Sequence, residues 1–315
     1  MSDISIRPFQ PSDLPAVLRV LAAAMPADPI SEARFTRQVL LDPNVRVEGM
    51  PVATRGGGGG GGNAVVGFCL AIARQTPLEN APSDADRGYV TLIAVAPDAQ
   101  RQGVGAALLQ HAENYLKSQG RSIVMASSYA PGYFIPGVDA NAYAGGLAFL
   151  KKHGYAEVYR PLAMEASLWN FSWPAWVREK ASAFELKSFE PALTLPLLDF
   201  VRREFPGDWV RVVRETAARI LGGDSPSRLI AALEGDEIVG FTHHENERFG
   251  PIGVAASQRG RGIGQVLMFA TLEAQRAAGF RVAWFLWSDD KTAERIYNVA
   301  GFCETRRFAL MKKSL

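Results

Sequence analysis

Cysteine is almost missing from this chain: Cys69 and Cys303 are the only two in 315 residues, and they lie far apart. A disulfide, a thiolate metal site and a cysteine nucleophile are therefore not expected. Their settings, Gly-Phe-Cys-Leu-Ala and Ala-Gly-Phe-Cys-Glu, read as strands, so both are expected to be buried small hydrophobes. Charge of one sign is also lacking. The 34 Lys and Arg against 32 Asp and Glu leave a net charge of +2, which recommends neither nucleic acid nor an anionic membrane as a partner. No stretch of about 18 apolar residues occurs, and residues 1–8 have no charged segment leading into an apolar one, so a cytoplasmic location is expected. What is present is the balance of a globular protein, 48% apolar and 21% charged, at a length that suggests two domains.

The chain repeats itself. Ile93-Ala-Val-Ala-Pro-Asp-Ala-Gln-Arg-Gln-Gly-Val-Gly105 aligns without gaps on Ile252-Gly-Val-Ala-Ala-Ser-Gln-Arg-Gly-Arg-Gly-Ile-Gly264, at an offset of 159 (262 − 103). His153-Gly-Tyr155 matches Ala300-Gly-Phe302 at an offset of 147 (301 − 154). The first copy is longer between these landmarks, and the excess lies in the Pro- and Gly-rich stretch 129–140. Ile6-Arg-Pro-Phe-Gln-Pro11 and Leu186-Lys-Ser-Phe-Glu-Pro191 open the copies alike, each as a strand leading into a helix.

Within the first copy, 65–72 and 89–95 read as strands, 103–119 as a helix stopped at Gly120, 123–126 as a strand, 143–153 as a helix and 157–165 as the closing strand. In the second, strands are expected at 228–233, 238–242 and 252–254, a helix whose face is Ile263, Leu267, Ala270, Ala274 and Ala277, a strand at 281–286, a helix at 292–299 and a last strand near 307–311. Strand, glycine turn, helix, strand implies a crossover and a mixed α/β (α+β) sheet in each copy. The expected division is 1–168, a Trp-rich connector 169–183 that packs between the halves, and 184–315. The glycine run 56–62 has no side chains to pack and reads as a mobile loop.

Both copies carry a strand that ends in a basic, glycine-rich turn and runs straight into a helix. The unbonded first amides of a helix and the successive amides of such a turn make a pocket for phosphate oxygens. Two other phosphate motifs are excluded. No Gly-Lys-Ser/Thr follows a four-residue spacer, and the third glycine of Gly-x-Gly-x-x-Gly is replaced by Leu108 in one copy and Leu267 in the other.

These turns resemble the acetyl-CoA pyrophosphate loop of the GNAT superfamily, and Ala293-Glu-Arg-Ile-Tyr-Asn-Val-Ala-Gly-Phe302 is similar to that family's last block. The resemblance implies two tandem GNAT-like acyl-CoA N-acyltransferase domains with acetyl-CoA as co-substrate. In the second copy it implies cofactor contacts at Ile252 and Val254 along the strand and at Arg259, Gly260, Arg261, Gly262, Ile263 and Gly264 in the turn. Asp290 stands where the family block has Asn. In the first copy the matching positions run from Ile93 to Val95 and from Gln100 through Gly103 to Gly105.

Acetyl transfer to an amine needs a base for the ammonium, whose pKa is about 10, and an acid for the thiolate, near 8.5. The family's proton donor on the last helix falls on Tyr297 in the second copy and on Leu150 in the first, so chemistry is expected in the second half. Glu245 is the favoured base among His243, His244, Glu245 and Glu247, with alternation placing His243 and Glu245 on one face; two histidines without a third ligand do not predict a metal. Tyr133, Asp139 and Tyr143 on or beside the extra stretch are positioned to shape an acceptor pocket in the first copy, and the resemblance implies pocket walls around 26–40 in the first copy and 205–221 in the second. The expected activity is N-acetylation of a small-molecule or peptide amine by direct attack, in a monomer whose halves mimic a dimer. The alternatives are a non-catalytic acyl-CoA-binding protein and an aminoacyl-tRNA-dependent peptidyl transferase, the latter disfavoured by near-neutral charge.

Overall fold

The computed structural model describes residues 4–56, 64–223 and 227–315; from Gly57 on, the glycine run lies outside the described residues. The chain divides into two compact units, and the division is not sequential. One comprises Met1–Pro77, Ser83–Pro161 and Arg307–Leu315, and the other Leu78–Pro82 and Leu162–Arg306.

The first unit is a twisted sheet with helices on both faces. In chain order it contains β1 (Ile4–Pro8), α1 (Leu14–Ala24), α2 (Glu32–Phe35), β2 (Pro51–Arg55), β3 (Ala64–Ile72), β4 (Arg87–Val95), α3 (Val104–Ser118), β5 (Ile123–Ala126), β6 (Val138–Asp139), α4 (Ala144–Lys152) and β7 (Ala156–Tyr159). Strands β1 to β4 pair antiparallel in succession, and β5 joins β4 in parallel after the α3 crossover. Helix α3 presents Val104, Leu108, Leu109, Ala112 and Leu116 to Cys69, Ala71, Val90 and Val124. On the other face Val17, Val20 and Leu21 of α1 meet Phe68, Leu70 and Leu92. Each such side chain, withdrawn from water, contributes about 2 kcal/mol.

The second unit repeats the plan with β8 (Leu162–Ser167), α5 (Ala175–Ala181), β9 (Glu185–Ser188), α6 (Thr194–Glu204), α7 (Trp209–Leu221), β10 (Arg228–Glu234), β11 (Glu237–Glu245), β12 (Arg248–Val254), α8 (Ile263–Ala277) and β13 (Val282–Ser288). The strand order is β8-β13-β12-β11-β10-β9. The final strand, β14 (Cys303–Ser314), leaves this unit at Arg306. From Arg307 it lies in the first unit, antiparallel to β5, with Met311 opposite Ala126. Conversely β8, which the repeat assigns to the end of the first copy, pairs with β13 in the second unit. The copies thus exchange their closing strands, which a division at 168 and 184 does not contain.

Three further expectations change. Cys69 is fully buried, but Cys303 is exposed, because the buried stretch of β14 begins only at Phe308. The connector packs onto α8, where Phe171 and Trp173 lie 5.7 and 5.8 Å from the Phe269 ring, while Trp169 stays 68% exposed. The helix expected at 292–299 is irregular, a wide five-residue turn at Ala293–Tyr297 followed by a tight one at Asn298–Ala300.

Candidate active site

The two turns share one backbone design. Gly103 caps α3 at φ +85° and Gly262 caps α8 at φ +84°, both left-handed, which glycine adopts without a Cβ penalty. Upstream by two residues, Gly260 has φ +87°, whereas its counterpart Arg101 holds φ +62° with a side chain. Gln100 Nε2 donates to the Val95 carbonyl at 3.0 Å, and Arg259 Nε to the Val254 carbonyl at 3.4 Å, so equivalent residues tie each turn to its strand. Arg261 is held by Glu234 at 2.7 Å and lies 5.2 Å from the Phe184 ring centre. In both units the first helical amides have no intrahelical acceptor and face away from their own helix.

Beside the first turn the sheet opens. The parallel pairing of β4 with β5 ends at Val90 opposite Ala126, where the Ser127 amide donates to the Val90 carbonyl at 2.8 Å. Thr91 is the extra residue of a bulge, since Leu70 faces Leu92 while Ala71 faces Val90. The bulge turns β4 away from β5. The wedge leads into a cavity of about 740 Å³, bordered by Val90, Ala126, Leu150 and Phe149, by Met25, and by the insertion through Ile135, Val138 and Tyr143. Val95, Gln100, Gly103 and Gly105, the first-copy positions expected to hold the cofactor, all border this one cavity.

The equivalent wedge in the second unit is filled. Arg248 pairs with Trp284, the same register as Tyr89 with Met125 once the repeat offset is applied. By that offset Phe249 replaces Val90 and Phe285 replaces Ala126, and by the second landmark Tyr297 replaces Leu150. The three rings pack on one another, with centroids 6.2 Å apart for Phe249 and Phe285, 6.0 Å for Phe249 and Tyr297, and 4.5 Å for Phe285 and Tyr297. Phe302 closes the cluster. Phe205, which caps α6 as Met25 caps α1, lies on Gly253, where a Cβ would come within 2.5 Å of its ring. At Gly262 a Cβ would meet the Lys180 side chain at 2.7 Å. Ile252 and Val254 remain on β12, Ile263 is buried, and Asp290 begins the irregular helical segment.

The proton-transfer residues expected in the second half are correspondingly engaged. Tyr297 is 7% exposed, and burial, with Asp289 nearby, pushes its phenol up to about 12. Glu245 ends β11 in an ion pair with Arg219 at 2.6 Å. His243 and His244 are both buried, because β11 is covered on both faces from Ile238 to His244. Burial lowers each to about 4. His243 Nδ1 lies 3.0 Å from the Gly250 carbonyl, which can only accept, so Nδ1 carries the proton and Nε2 accepts from the Thr216 hydroxyl at 3.1 Å. No group of three or more metal-ligating side chains occurs among the described residues.

The insertion of the first unit is pinned along its length. Arg74, ion-paired with Asp84 at 2.8 Å, donates to the Ala130 carbonyl at 2.7 Å and lies 4.9 Å from the Tyr129 ring centre. Asn44 donates to the Tyr129 hydroxyl at 2.8 Å, and Arg34 to the Phe134 carbonyl at 3.1 Å. β6 pairs with β14, Phe308 opposite Asp139 and Ala309 opposite Val138. Asp139 accepts from the Asn141 and Ala142 amides and so caps the approach to α4. Tyr143 donates to Asp28 Oδ2 at 2.6 Å. The sequence singles out Tyr143 and Asp139, takes in Asp28 only as one of the residues 26–40, and gives no sign of Arg74 or Thr91. The signal for Asp28 was only its place in the loop after the first helix.

With this geometry in hand, the comparisons are consistent. Family models described as "Acetyltransferase (GNAT) family" and "Acetyltransferase (GNAT) domain" match residues 37–132 and 201–309, together well over half the chain. A comparison with curated proteins finds no match. Among solved structures, a GCN5-related glucosamine N-acetyltransferase region of a fungal multi-domain GH3 β-N-acetylglucosaminidase superposes over 99% of this chain at 20% identity and TM-score 0.82. The chain spans 38% of that protein's length. A GCN5-related N-acetyltransferase from Sphaerobacter thermophilus covers 99% of this chain and 95% of its own at 20% identity and TM-score 0.71. A tandem GNAT protein from the clavulanic acid biosynthesis pathway covers 99% and 98% at 17% identity and TM-score 0.66. At these identities the structures speak for the fold, and with two family matches on one chain they lead to one assignment: the protein is a tandem member of the GNAT acetyltransferase family.

Proposed function

We propose that the protein transfers an acetyl group from acetyl-CoA to the primary amine of a small acceptor, and that the reaction belongs to the cavity of the first unit. The observation that carries this reading is the contrast at three equivalent positions. Val90, Ala126 and Leu150 border an open wedge, and Phe249, Phe285 and Tyr297 fill the other. A cofactor arm needs that space, and its carbonyl needs backbone donors beside it. β4 supplies Thr91 and Leu92 at the bulge; their counterparts Gly250 and Pro251 offer no hydroxyl and, at Pro251, no N–H. On this reading the chemistry lies in the first unit, and Tyr297 and Glu245, the catalytic pair expected from the sequence, serve the packing of the second.

In the first unit the diphosphate would lie on the amides from Gln100 to Gly105, with the pantetheine arm along Ile93 to Val95. The acceptor would enter between Met25 and the insertion. Titration calorimetry with acetyl-CoA tests the reading: one equivalent per chain is expected, Ala126→Phe should remove it, and Phe285→Ala should leave it. Two equivalents, or binding that survives Ala126→Phe, would overturn it. The acceptor follows from thiol release with a panel of amines that includes glucosamine, the substrate named for the fungal region.

A further inference from the structure

The first unit has Leu150 where the family places its proton donor, and an acceptor ammonium entering its cavity still needs a base. Tyr143 stands seven residues earlier, as the residue that leads into α4. Both residues border the cavity. The Tyr143 hydroxyl donates to Asp28 Oδ2 at 2.6 Å, a distance typical of a hydroxyl bonded to a carboxylate. Asp28 is 9% exposed, and of the two only Tyr143 borders the cavity, so Tyr143 is the member of the pair that an acceptor there would meet.

Both partners are fixed. Asp28 is anchored by its amide, which donates to the Met25 carbonyl at 3.0 Å, and Tyr143 by its amide on the Asp139 carbonyl at 2.8 Å. Asp139 is in turn held by pairing with β14. A phenol bonded this way can accept a proton on its oxygen as its own passes to the carboxylate.

We propose that Tyr143, backed by Asp28, is the group that takes the proton from the acceptor ammonium. The inference rests on acetyl-CoA occupying this cavity. The ammonium gives one proton to the Tyr143 oxygen while the Tyr143 proton moves to Asp28, leaving a neutral amine and a carboxylic acid. The amine lone pair forms the C–N bond, and the carbonyl π pair moves to oxygen. Collapse breaks the C–S bond, and the remaining excess proton on nitrogen goes to the departing thiolate, giving amide and thiol. Asp28 then returns its proton to water. Tyr143 touches the substrate and is the catalytic residue; Asp28 acts through it.

The test uses two generic nucleophiles with the full chain and saturating acetyl-CoA, ethylamine, which is an ammonium at neutral pH, and hydroxylamine, which is not. Tyr143→Phe should lower kcat with ethylamine by about a hundredfold while hydroxylamine turnover and the acetyl-CoA Kd change less than about twofold. Asp28→Asn should follow the same pattern, and Tyr143→Phe combined with Asp28→Asn should lose little more than either alone. Equal losses with both nucleophiles, or unchanged ethylamine turnover in Tyr143→Phe, would overturn the proposal. Failure of the unmodified protein to bind acetyl-CoA would instead sink the reading of the cavity.

Discussion

Lys313 Nζ lies 2.8 Å from both carboxylate oxygens of Glu113, and the Tyr155 hydroxyl donates to the same carboxylate at 3.0 Å. One partner sits near the C-terminus on β14 and the other in the middle of α3, so a residue at the end of the second copy completes the core of the first. Glu113 is nearly buried and Lys313 is about a quarter exposed. Burial and the neighbouring carboxylate also raise the Tyr155 phenol above its ordinary range.

Removing the lysine leaves a mostly buried carboxylate with one neutral donor, which costs more than losing a surface pair. Lys313→Met should destabilise the protein by about 2 kcal/mol, read as a lower urea midpoint. A midpoint equal to the parent's would mean that β14 is held by its backbone ladder and apolar contacts alone.

The filled wedge of the second unit predicts a separation of stability from binding. Phe285 touches Phe249, Tyr297 and Phe302, and its truncation leaves a void in that cluster. Phe285→Ala should cost about 3–5 kcal/mol without altering acetyl-CoA affinity in the first unit. A fall in affinity with the fold intact would place the cofactor in the second.

Much of this was legible in the sequence, and its limits have physical causes. The turn at 99–105 and its copy at 258–264 were readable because glycines with positive φ at a strand-to-helix junction leave little choice of structure. The strand exchange was not. β14 continues its own copy's pattern of residues, and only pairing of Met311 with Ala126 reveals which sheet it enters. Tyr297 holds its family position in the sequence, but its packing against Phe249 and Phe285 was not legible there, because those rings stand on two other elements, β12 and β13. Asp28 carries no motif at all and acquires meaning from Tyr143, on another element.

The buried histidines predict the acid limb of stability. His243 and His244 are lowered to about 4 by burial, while an unfolded histidine stays near 6.5. The unfolded chain therefore binds more protons between these values, so each histidine's contribution is intact above about pH 6.5 and is lost as pH falls towards 4. Each accounts for up to about 3 kcal/mol. His243→Gln should unfold over a shallower pH range than the parent when followed by urea midpoints from pH 7 to 4.5. Parallel curves would mean that His243 does not remain neutral in the folded state.

Arg101 offers the last prediction. It holds φ +62° beside the cavity, where its counterpart Gly260 carries no side chain. A side chain in the left-handed region costs roughly 1–2 kcal/mol, part of which glycine gives back through its freer unfolded state. Arg101→Gly should therefore raise stability by about 0.5 kcal/mol. The same change removes a cation from the turn proposed to hold a diphosphate, and one charge-assisted hydrogen bond is worth about 1.5–3 kcal/mol, a loss of at least about tenfold in acetyl-CoA affinity. Dephospho and diphosphate-free analogues separate the two sources of that loss. Pantetheine thioester binding should be indifferent to the substitution, since it lacks the phosphates, whereas equal losses for acetyl-CoA and the pantetheine thioester would show that Arg101 shapes the turn and does not bind phosphate.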